Sequence, residues 1–319
     1  MENVENVVIS LTDLLKQQQV VAPSVYDNIS VRAVELCHFP AAVLSGAGLA
    51  YSMCGLPDIG LLNVEEMKWM TQRMTYYTPL PVIVDAGNGF GETAVQVGLN
   101  VMRLVKAGAK AVIVDDSEGL RGKDVAFLEG QEVRTVSREL FLAKIRAAVE
   151  ACENTDAVVI ARTEALFGAG LEEAIERCAL ARKAGACLTE VDGASTLEEA
   201  KKINEGDPGW KMWPFIPTVD GKPAQGRDEL DALGFRLIGM WYTEKASMYG
   251  MLLFGKRTLE DGNTVFHNDH NFDGLLKPGQ THHVLFSYWK KWIPLEDECY
   301  DRAAEAMKKE YDIRFDVSE

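Results

Sequence analysis

The sequence predicts an α/β protein with the fold of a (β/α)8 TIM barrel. Short runs of apolar, β-favouring residues alternate along the chain with segments of helical periodicity, which is the pattern of consecutive strand–helix units. Eight such units occupy about 250 residues, the usual length of this barrel. A doubly wound open sheet has the same alternation, so it remains the alternative fold.

The predicted elements run in order from residue 20 to residue 254. Asn63 precedes Glu66, and Thr196 precedes Glu199, at the spacing of a capping box, so each pair predicts the start of a helix. Strands are predicted over 20–22, 42–44, 82–84, 111–114, 157–161, 186–189, 212–216 and 236–240. Helices are predicted over 30–37, 64–76, 93–107, 138–151, 171–184, 197–204, 228–233 and 244–254.

A second segment begins where this alternation stops. We predict a catalytic barrel domain over 1–256 and a C-terminal arm with a helix over 257–319. Aromatic side chains are concentrated in the arm, at Phe286, Tyr288, Trp289, Trp292, Tyr300, Tyr311 and Phe315. Because so much apolar area must be covered, the arm is expected to pack either on its own barrel or on a partner subunit, and a partner subunit in a homo-oligomer is favoured.

The composition excludes several classes of function. A net charge of −15 disfavours binding to the phosphate backbone of nucleic acids and to anionic membrane surfaces. The six cysteines are scattered without a CxxC pair, which is typical of reduced thiols in a cytosolic protein. No apolar run reaches the roughly 18 residues of a membrane span, and the acidic first residues do not resemble a secretory signal. We therefore expect a cytoplasmic protein without nucleic-acid or membrane partners.

The most informative stretch is the predicted strand over 82–84 with the residues that follow it. Asp85 ends this apolar run, and glycines occupy every second position of the next loop, at Gly87, Gly89 and Gly91. The carboxyl ends of parallel strands are where barrel enzymes place their chemistry. A carboxylate on a rigid strand, beside a loop that tolerates close approach, predicts a site for a divalent metal.

Polar residues also follow the other predicted strands and should converge on the same mouth of the barrel. They are Asp27, the loop 45–48, Asp115, Asp116, Arg162, Glu190, Asp192 and Thr218, the last of which is expected to end the seventh strand. Acids in such a cup suit Mg²⁺, and an arginine suits a substrate carboxylate or phosphoryl group. Each residue also has a simpler interpretation, because an acid after a strand is often a cap or turn residue and Arg162 could form a structural ion pair. The convergence of several strand ends favours the functional interpretation.

Two other binding sites are less favoured. A dinucleotide fingerprint requires Gly-x-Gly-x-x-Gly, but Glu92 stands where the third glycine would be. The histidines His267, His270, His282 and His283 lack the companions of a zinc motif.

The chain resembles the isocitrate lyase/phosphoenolpyruvate mutase superfamily over about residues 10–256. The resemblance rests on the ordered motifs VYD at 25–27, SGAG at 45–48, GLPD at 55–58, DAGNGFG at 85–91, ARTEA at 161–165 and LDALG at 230–234. It implies a barrel that exchanges its eighth helix between the subunits of a homodimer or homotetramer. It also implies a site that uses Mg²⁺, with Mn²⁺ as a substitute, to act on small carboxylate substrates through an enolate.

The resemblance also implies roles for individual residues. Asp85 matches the direct metal ligand, with Asp115 and Asp116 as metal contacts through water. Arg162 is implied to bind the substrate anion and to take part in catalysis, and Asp58 to order a mobile loop. The remaining implied substrate contacts are Tyr26, Ser45, Gly46, Ala47 and Asp192.

The segment 118–129 is expected to close over the site as a lid, with Arg121 or Lys123 meeting the charge of the substrate. It contains neither the cysteine nor the histidine of the lyase branch, and Gly87 replaces a second acid of the family loop. Oxaloacetate-type decarboxylation needs no general acid on the lid, so the missing cysteine favours it modestly over standard lyase chemistry.

We therefore predict a Mg²⁺-dependent, lyase-like enzyme that cleaves a C–C bond of a small 2-oxo or 2-hydroxy dicarboxylic acid. The bond would break by decarboxylation or by a retro-aldol step through a metal-bound enolate. One alternative is a P–C bond mutase or hydrolase that acts on a phosphonopyruvate-like substrate. Another is a catalytically weakened barrel that binds an organic acid or a protein partner.

Overall fold

The computed structural model describes residues 9–119, 132–266 and 289–311, and it confirms the predicted barrel. Eight parallel strands close on themselves in the order β1-β2-β3-β4-β5-β6-β7-β10. Their bounds are β1 Val20–Val25, β2 Ala42–Leu44, β3 Val82–Asp85, β4 Ala111–Val114, β5 Val158–Thr163, β6 Leu188–Val191, β7 Lys211–Trp213 and β10 Phe235–Met240. A two-stranded antiparallel hairpin, β8 Thr218–Val219 with β9 Lys222–Pro223, lies between β7 and β10 in the chain.

Helices connect the strands. Their bounds are α1 Leu11–Gln17, α2 Asn28–Leu36, α3 Gly46–Leu49, α4 Val64–Thr75, α5 Ala94–Lys106, α6 Arg138–Ala151, α7 Ala165–Gly168, α8 Leu171–Lys183, α9 Leu197–Gly206, α10 Arg227–Ala232, α11 Thr243–Asp261 and α12 Trp289–Tyr311. One π-helical turn, Ala50–Cys54, follows α3. The predicted capping boxes are present, because Asn63 and Thr196 each accept the backbone N–H of the glutamate three residues later.

The barrel closes through β1, which pairs with β10 on one side and with β2 on the other. Alternate residues of the strands fill its interior, so that Ile83, Ile113, Ile160 and Leu188 belong to one buried cluster. α1 contributes Leu11, Leu14 and Leu15 to that same cluster. The other face of each strand packs against the surrounding helices, as Val84 and Val114 do. This two-residue alternation determines which polar residue at a strand end faces the mouth.

One strand differs from the prediction over 212–216. β7 ends at Trp213, because Pro214 cannot donate a hydrogen bond to a neighbouring strand. Thr218, five residues further on, lies in the exposed hairpin and not at the end of a barrel strand.

The chain divides into two compact units, Met1–Tyr249 and Gly250–Glu319. The division between the units falls within α11. The boundary predicted at residue 256, between the barrel domain and the C-terminal arm, stays a prediction. α12 forms in the second unit and contains Pro294. Within the described ranges, no helix combines the length and the apolar character that a membrane crossing requires.

Candidate active site

Three charged side chains meet at the carboxyl ends of adjacent strands. Asp85 is the last residue of β3, Asp115 directly follows β4, and Arg162 lies near the end of β5. Nη1 of Arg162 donates to Oδ2 of Asp85 at 2.9 Å, and Nη2 donates to Oδ2 of Asp115 at 2.6 Å. All three side chains are buried, so the guanidinium bridges the two carboxylates away from bulk water.

The alternation of the strands explains this convergence. Asp85, Asp115 and Arg162 each come two residues after an isoleucine that points into the barrel, namely Ile83, Ile113 and Ile160. Residues two apart on a strand share a face, so all three polar side chains point inward at the mouth. Glu190 follows Leu188 in the same way and is also buried.

Each carboxylate is also oriented by its own loop. Oδ1 of Asp85 accepts the N–H of Gly87 at 3.1 Å. Oδ1 of Asp115 accepts the N–H of Ser117 at 2.9 Å and its hydroxyl at 2.6 Å. Burial alone would lower the pKa of Arg162, but the negative charges of Asp85 and Asp115 raise it well above its usual value. The guanidinium is therefore a permanent cation at the mouth.

The glycine loop that follows Asp85 is supported from behind by two helices. Gly87, Gly89 and Phe90 have φ of 50°, 81° and 54°, and a Cβ on Gly89 would lie 2.6 Å from a methyl carbon of Val97. Nδ2 of Asn100 on α5 donates to the carbonyls of Gly89 and Phe90 at 3.2 and 3.0 Å. The tight turn and its contact with α5 therefore explain why the sequence places glycine at position 89.

Lys144 on α6 is the second support of this loop. The residue is 2% exposed, and its Nζ donates to the carbonyl of Asn88 at 3.4 Å. Burial lowers the pKa of Lys144, while the charges of Asp115, Glu92 and Asp116 oppose that shift. The sequence interpretation missed this residue. A signal was present, because a lysine three residues after Phe141 and four before Ala148 lies on the apolar stripe of its helix.

The mouth opens into a cavity of about 530 Å³. Five of the predicted site residues line it, namely Gly46, Asp58, Asp85, Asp115 and Arg162. The cavity also has acidic residues that the sequence interpretation did not include, Glu92 and Glu164, and an apolar wall that includes Met67 and Phe90. Glu164 comes two residues after Arg162 and directly follows β5, so its position at a strand end was the available signal.

Other predicted substrate contacts support the mouth without lining the cavity. Oγ of Ser45 accepts the N–H of Gly48 at 3.0 Å and so begins α3. Ala47 lies within the same short helix. Tyr26 hydrogen-bonds through its hydroxyl to Ser247 on α11, and burial raises its pKa. A Cβ on Gly48 would lie 2.9 Å from the Cβ of Tyr26, so this loop must keep a glycine there.

Asp192 and Asp116 both follow the ends of strands, but their side chains have different surroundings. Asp192 is buried, accepts the N–H of Gly193 at 2.9 Å, and acts electrostatically on Arg162. Asp116 faces away from the mouth, because it follows Val114, whose side chain packs toward the helices. The geometry therefore does not support Asp116 as an auxiliary metal contact.

The Asp116 carboxylate instead joins three structural elements. Its Oδ2 accepts Oγ1 of Thr163 at 2.6 Å and Nη1 of Arg177 at 3.1 Å, and its Oδ1 accepts the N–H of Glu164 at 2.9 Å. The same Arg177 nitrogen donates to the carbonyl of Val136 at 2.9 Å. Burial raises the pKa of Asp116, and the contact with Thr163 is the main influence that lowers it. Asp116 is thus a buried junction between β5, α8 and the segment before α6.

Arg121 and Lys123, predicted on a lid over 118–129, lie outside the described residues. Gly119 is the last described residue on that side and lines the cavity.

The residues at the mouth fit a hard divalent metal ion, which prefers oxygen ligands. Asp85 and Asp115 offer carboxylate oxygens, which Mg²⁺ prefers. Across residues 9–119, 132–266 and 289–311, no three acidic, histidine or cysteine side chains form a closed cage. Mg²⁺ is commonly bound by one or two carboxylates, with waters and substrate oxygens as its other ligands, so the donor set suits a site completed by substrate.

Comparison with known proteins places this barrel in a family. The family described as phosphoenolpyruvate phosphomutase matches residues 11–249. The chain belongs to this family. It is thereby an enzyme of the isocitrate lyase/phosphoenolpyruvate mutase superfamily, as the motifs at the strand ends predicted.

Superfamily relatives differ in the reactions that their names record. A 2,3-dimethylmalate lyase from Eubacterium barkeri is 33% identical over 73% of this chain and 78% of its own length. An oxaloacetate decarboxylase from Rhodopseudomonas palustris (strain ATCC BAA-98 / CGA009) is 31% identical over 67% of this chain and 70% of its own. A structure of oxaloacetate acetylhydrolase with the inhibitor 3,3-difluorooxalacetate superposes with a TM-score of 0.78 at 25% identity, covering 91% of this chain and 96% of that one.

Gly87 is the main departure from the superfamily pattern, in which an acid is expected at this position. Its φ of 50° is one that Asp and Asn also tolerate. A Cβ built on Gly87 would lie 3.9 Å from Oδ2 of Asp115, an ordinary contact distance. The position can therefore hold a side chain directed at the acids of the mouth, although this chain has none there.

Proposed function

We propose that this protein is a Mg²⁺-dependent carbon–carbon lyase for a small 2-oxo or 2-hydroxy dicarboxylic acid. The observation that carries the proposal is the buried Arg162 held between Asp85 and Asp115 at the mouth of the cavity. This arrangement combines a cation for the substrate anion with carboxylates for a metal. The printed activities of the family relatives, which include a lyase and a decarboxylase, support the same reaction class.

Arg162 is the residue that binds and orients the substrate. A guanidinium has five N–H donors in a planar fork and matches a carboxylate through two parallel hydrogen bonds. Nη1 and Nη2 bind aspartates, whereas Nε is buried and has no hydrogen-bond acceptor in the described part of the chain. Nη1 and Nη2 each carry a second N–H that the aspartates do not use, and these N–H groups at the mouth would bind the substrate oxygens.

Asp85 and Asp115 would hold Mg²⁺, with Mn²⁺ as a substitute. When bound, the ion supplies a Lewis acid that stabilises negative charge on the 2-oxo oxygen by several kcal/mol. For a 2-oxo acid, decarboxylation would release CO2 and leave the electron pair of the broken bond on the carbon beside the oxo group, where a proton then adds. For a 2-hydroxy acid, the hydroxyl would lose its proton and become the oxo group of one product, and the electron pair would be left on the carbon beside a carboxylate of the other product, which is then protonated. The hydrogen bonds from Gly87 and Ser117 keep the two carboxylates in place during these changes of charge.

Isothermal titration calorimetry with Mg²⁺ and oxalate, a mimic of the enolate, tests this function. Wild type should bind oxalate only when Mg²⁺ is present, and Asp85→Asn should weaken that binding by about 100-fold because it removes the negative charge of the proposed metal ligand. Asp156→Asn is the matched control, since Asp156 pairs with Lys110 on the surface. Wild type that binds no oxalate with Mg²⁺ would contradict the proposal.

Product analysis then separates the possible reactions. Oxaloacetate, 2,3-dimethylmalate and phosphonopyruvate should be incubated with enzyme and Mg²⁺, with carboxylic acid products and inorganic phosphate measured. We expect C–C cleavage. Turnover of phosphonopyruvate alone would instead assign the P–C chemistry that the family's name describes.

We also propose that the enzyme works as a homodimer or homotetramer. The apolar residues of α11 in the first unit, Met248 and Tyr249, are exposed in a single chain, which supports association. Sedimentation velocity should give a mass of two or four chains. A monomer at micromolar concentration would contradict this expectation.

A further inference from the structure

The buried lysine behind the glycine loop has no place in the chemistry described so far. Lys144 is among the largest fully buried side chains of the described residues. A buried ammonium is costly unless hydrogen bonds and opposite charges compensate for the loss of water. Its hydrogen-bond acceptor is the carbonyl of Asn88, and Asn88 lines the cavity. The lysine therefore connects α6 directly to the wall of the active site.

The position of Lys144 depends on close packing of α5 against α6. A Cβ on Gly98 of α5 would lie 3.0 Å from the carbonyl oxygen of Ala147 on α6, so the helices approach almost to backbone contact. Asn100 on α5 and Lys144 on α6 then reach the same loop from neighbouring helices. Together they bind the consecutive carbonyls of Asn88, Gly89 and Phe90.

The loop held in this way carries the metal-binding carboxylate at its beginning. The N–H of Gly87 orients Asp85, and the carbonyl of Gly87 accepts the N–H of Asp115 at 2.8 Å. A shift of the loop would therefore displace both carboxylates that contact Arg162. The negative charges that act on the Lys144 ammonium, led by that of Asp115, belong to the same region.

We propose that Lys144 is a positioning residue: its buried ammonium fixes the loop 86–91 and thereby sets the affinity of the site for Mg²⁺ and a 2-oxo acid. The effect on affinity rests on the proposed function, whereas the effect on the loop does not. Lys144 acts through Asn88 and Asp115 and does not touch the substrate.

Two measurements on Lys144→Met, which is neutral and similar in length, test this role. Hydrogen–deuterium exchange should be faster in the peptide that covers 86–91, because the loop opens more often without its anchor. In calorimetry, the affinity for oxalate with Mg²⁺ should fall by about 10- to 100-fold, the usual cost of losing a group that orients a metal ligand. Lys144→Arg retains the charge and should restore both properties in part.

Lys211 offers a matched control, since it too is a buried lysine that donates to main-chain carbonyls. It begins β7, and its Nζ contacts the carbonyls of Asp207 and Gly209 at 3.2 and 2.7 Å. Lys211→Met should lower thermal stability but leave both the exchange of 86–91 and the oxalate affinity unchanged.

The results separate this inference from the proposed function. A folded Lys144→Met with wild-type loop exchange overturns the inference, whatever the ligand data show. Faster exchange of 86–91 in Lys144→Met, together with a wild type that binds no oxalate with Mg²⁺, would support the effect of Lys144 on the loop and reject the proposed function. If Lys144→Met does not fold, Lys144→Gln is judged by the same two criteria.

Discussion

Replacing Asp116 by asparagine should lower stability without weakening the proposed metal site. Its carboxylate accepts from Thr163, from the N–H of Glu164 and from Arg177, and it lies on the outer face of the barrel. With its oxygen toward Glu164, an asparagine keeps that bond, and its amide group can donate to the Thr163 hydroxyl, but it cannot accept from Arg177. One buried, charge-assisted hydrogen bond is therefore lost, which costs about 2 kcal/mol.

The loss of stability is limited because Arg177 keeps other hydrogen bonds. Its Nε still donates to Glu173 at 2.7 Å and its Nη1 to the carbonyl of Val136, so the guanidinium is not left bare. A loss of ~2 kcal/mol in a barrel of this size corresponds to a fall in Tm of about 4–8 °C.

Urea unfolding followed by circular dichroism measures the stability, and calorimetry with Mg²⁺ and oxalate measures the site. Asp116→Asn should bind like wild type, whereas Asp85→Asn should bind far more weakly. The reasoning is refuted if Asp116→Asn keeps its full stability and loses affinity about as strongly as Asp85→Asn, since Asp116 would then be a metal contact.

Three further outcomes follow from the structure. Gly87→Asp should bind Mg²⁺ about tenfold more tightly than wild type in calorimetry, because it adds a carboxylate beside Asp115. Gly87→Asn is the neutral control. Equal Mg²⁺ affinities of the two variants would contradict this prediction. Burial lowers the pKa of Lys211 to about 8, below its ordinary 10.5, so the unfolded chain keeps a proton that the folded chain has released between these pH values. The free energy of unfolding should therefore rise by up to ~3 kcal/mol from pH 8 to 10.5 in wild type relative to Lys211→Met, and parallel pH curves would refute this. The hydrogen bond from Arg138 lowers the pKa of Glu173 to about 2, so the stabilisation it contributes is present above pH 4.5 and is lost as the pH falls toward 2. Glu173→Gln should accordingly be less stable than wild type at pH 7 but not at pH 2 in thermal melts, and a difference independent of pH would count against it.

The barrel was predictable because its signals are local. Apolar runs, capping pairs such as Asn63 with Glu66, and the spacing between them depend on short stretches of chain, and the structure has strands and helices where these patterns occur. The end of β7 was missed because Pro214 interrupts an otherwise apolar run. The closure of the sheet could not be derived from the strand count, since it depends on the pairing of β1 with β10.

The sequence predicted which residues lie at the strand ends better than it predicted where their side chains point. Asp85, Asp115 and Arg162 follow from their places at strand ends. Asp116 was grouped with them because two adjacent acids look equivalent until the alternation of β4 is followed beyond Val114. Lys144 was missed because it reaches the mouth from a helix more than 50 positions away in the chain from Asn88, and no local pattern shows that approach.

The ion pairs of Arg162 with Asp85 and Asp115 affect how the protein should behave in a cell when magnesium is scarce. In many small metal-dependent domains, like charges in the binding site repel one another until the ion arrives, and the chain cannot fold without it. Here the arginine already neutralises the repulsion between Asp85 and Asp115. We therefore expect the chain to fold, and to persist, when magnesium is scarce. The supply of the ion would then govern how much of the protein is active, and not how much of it survives.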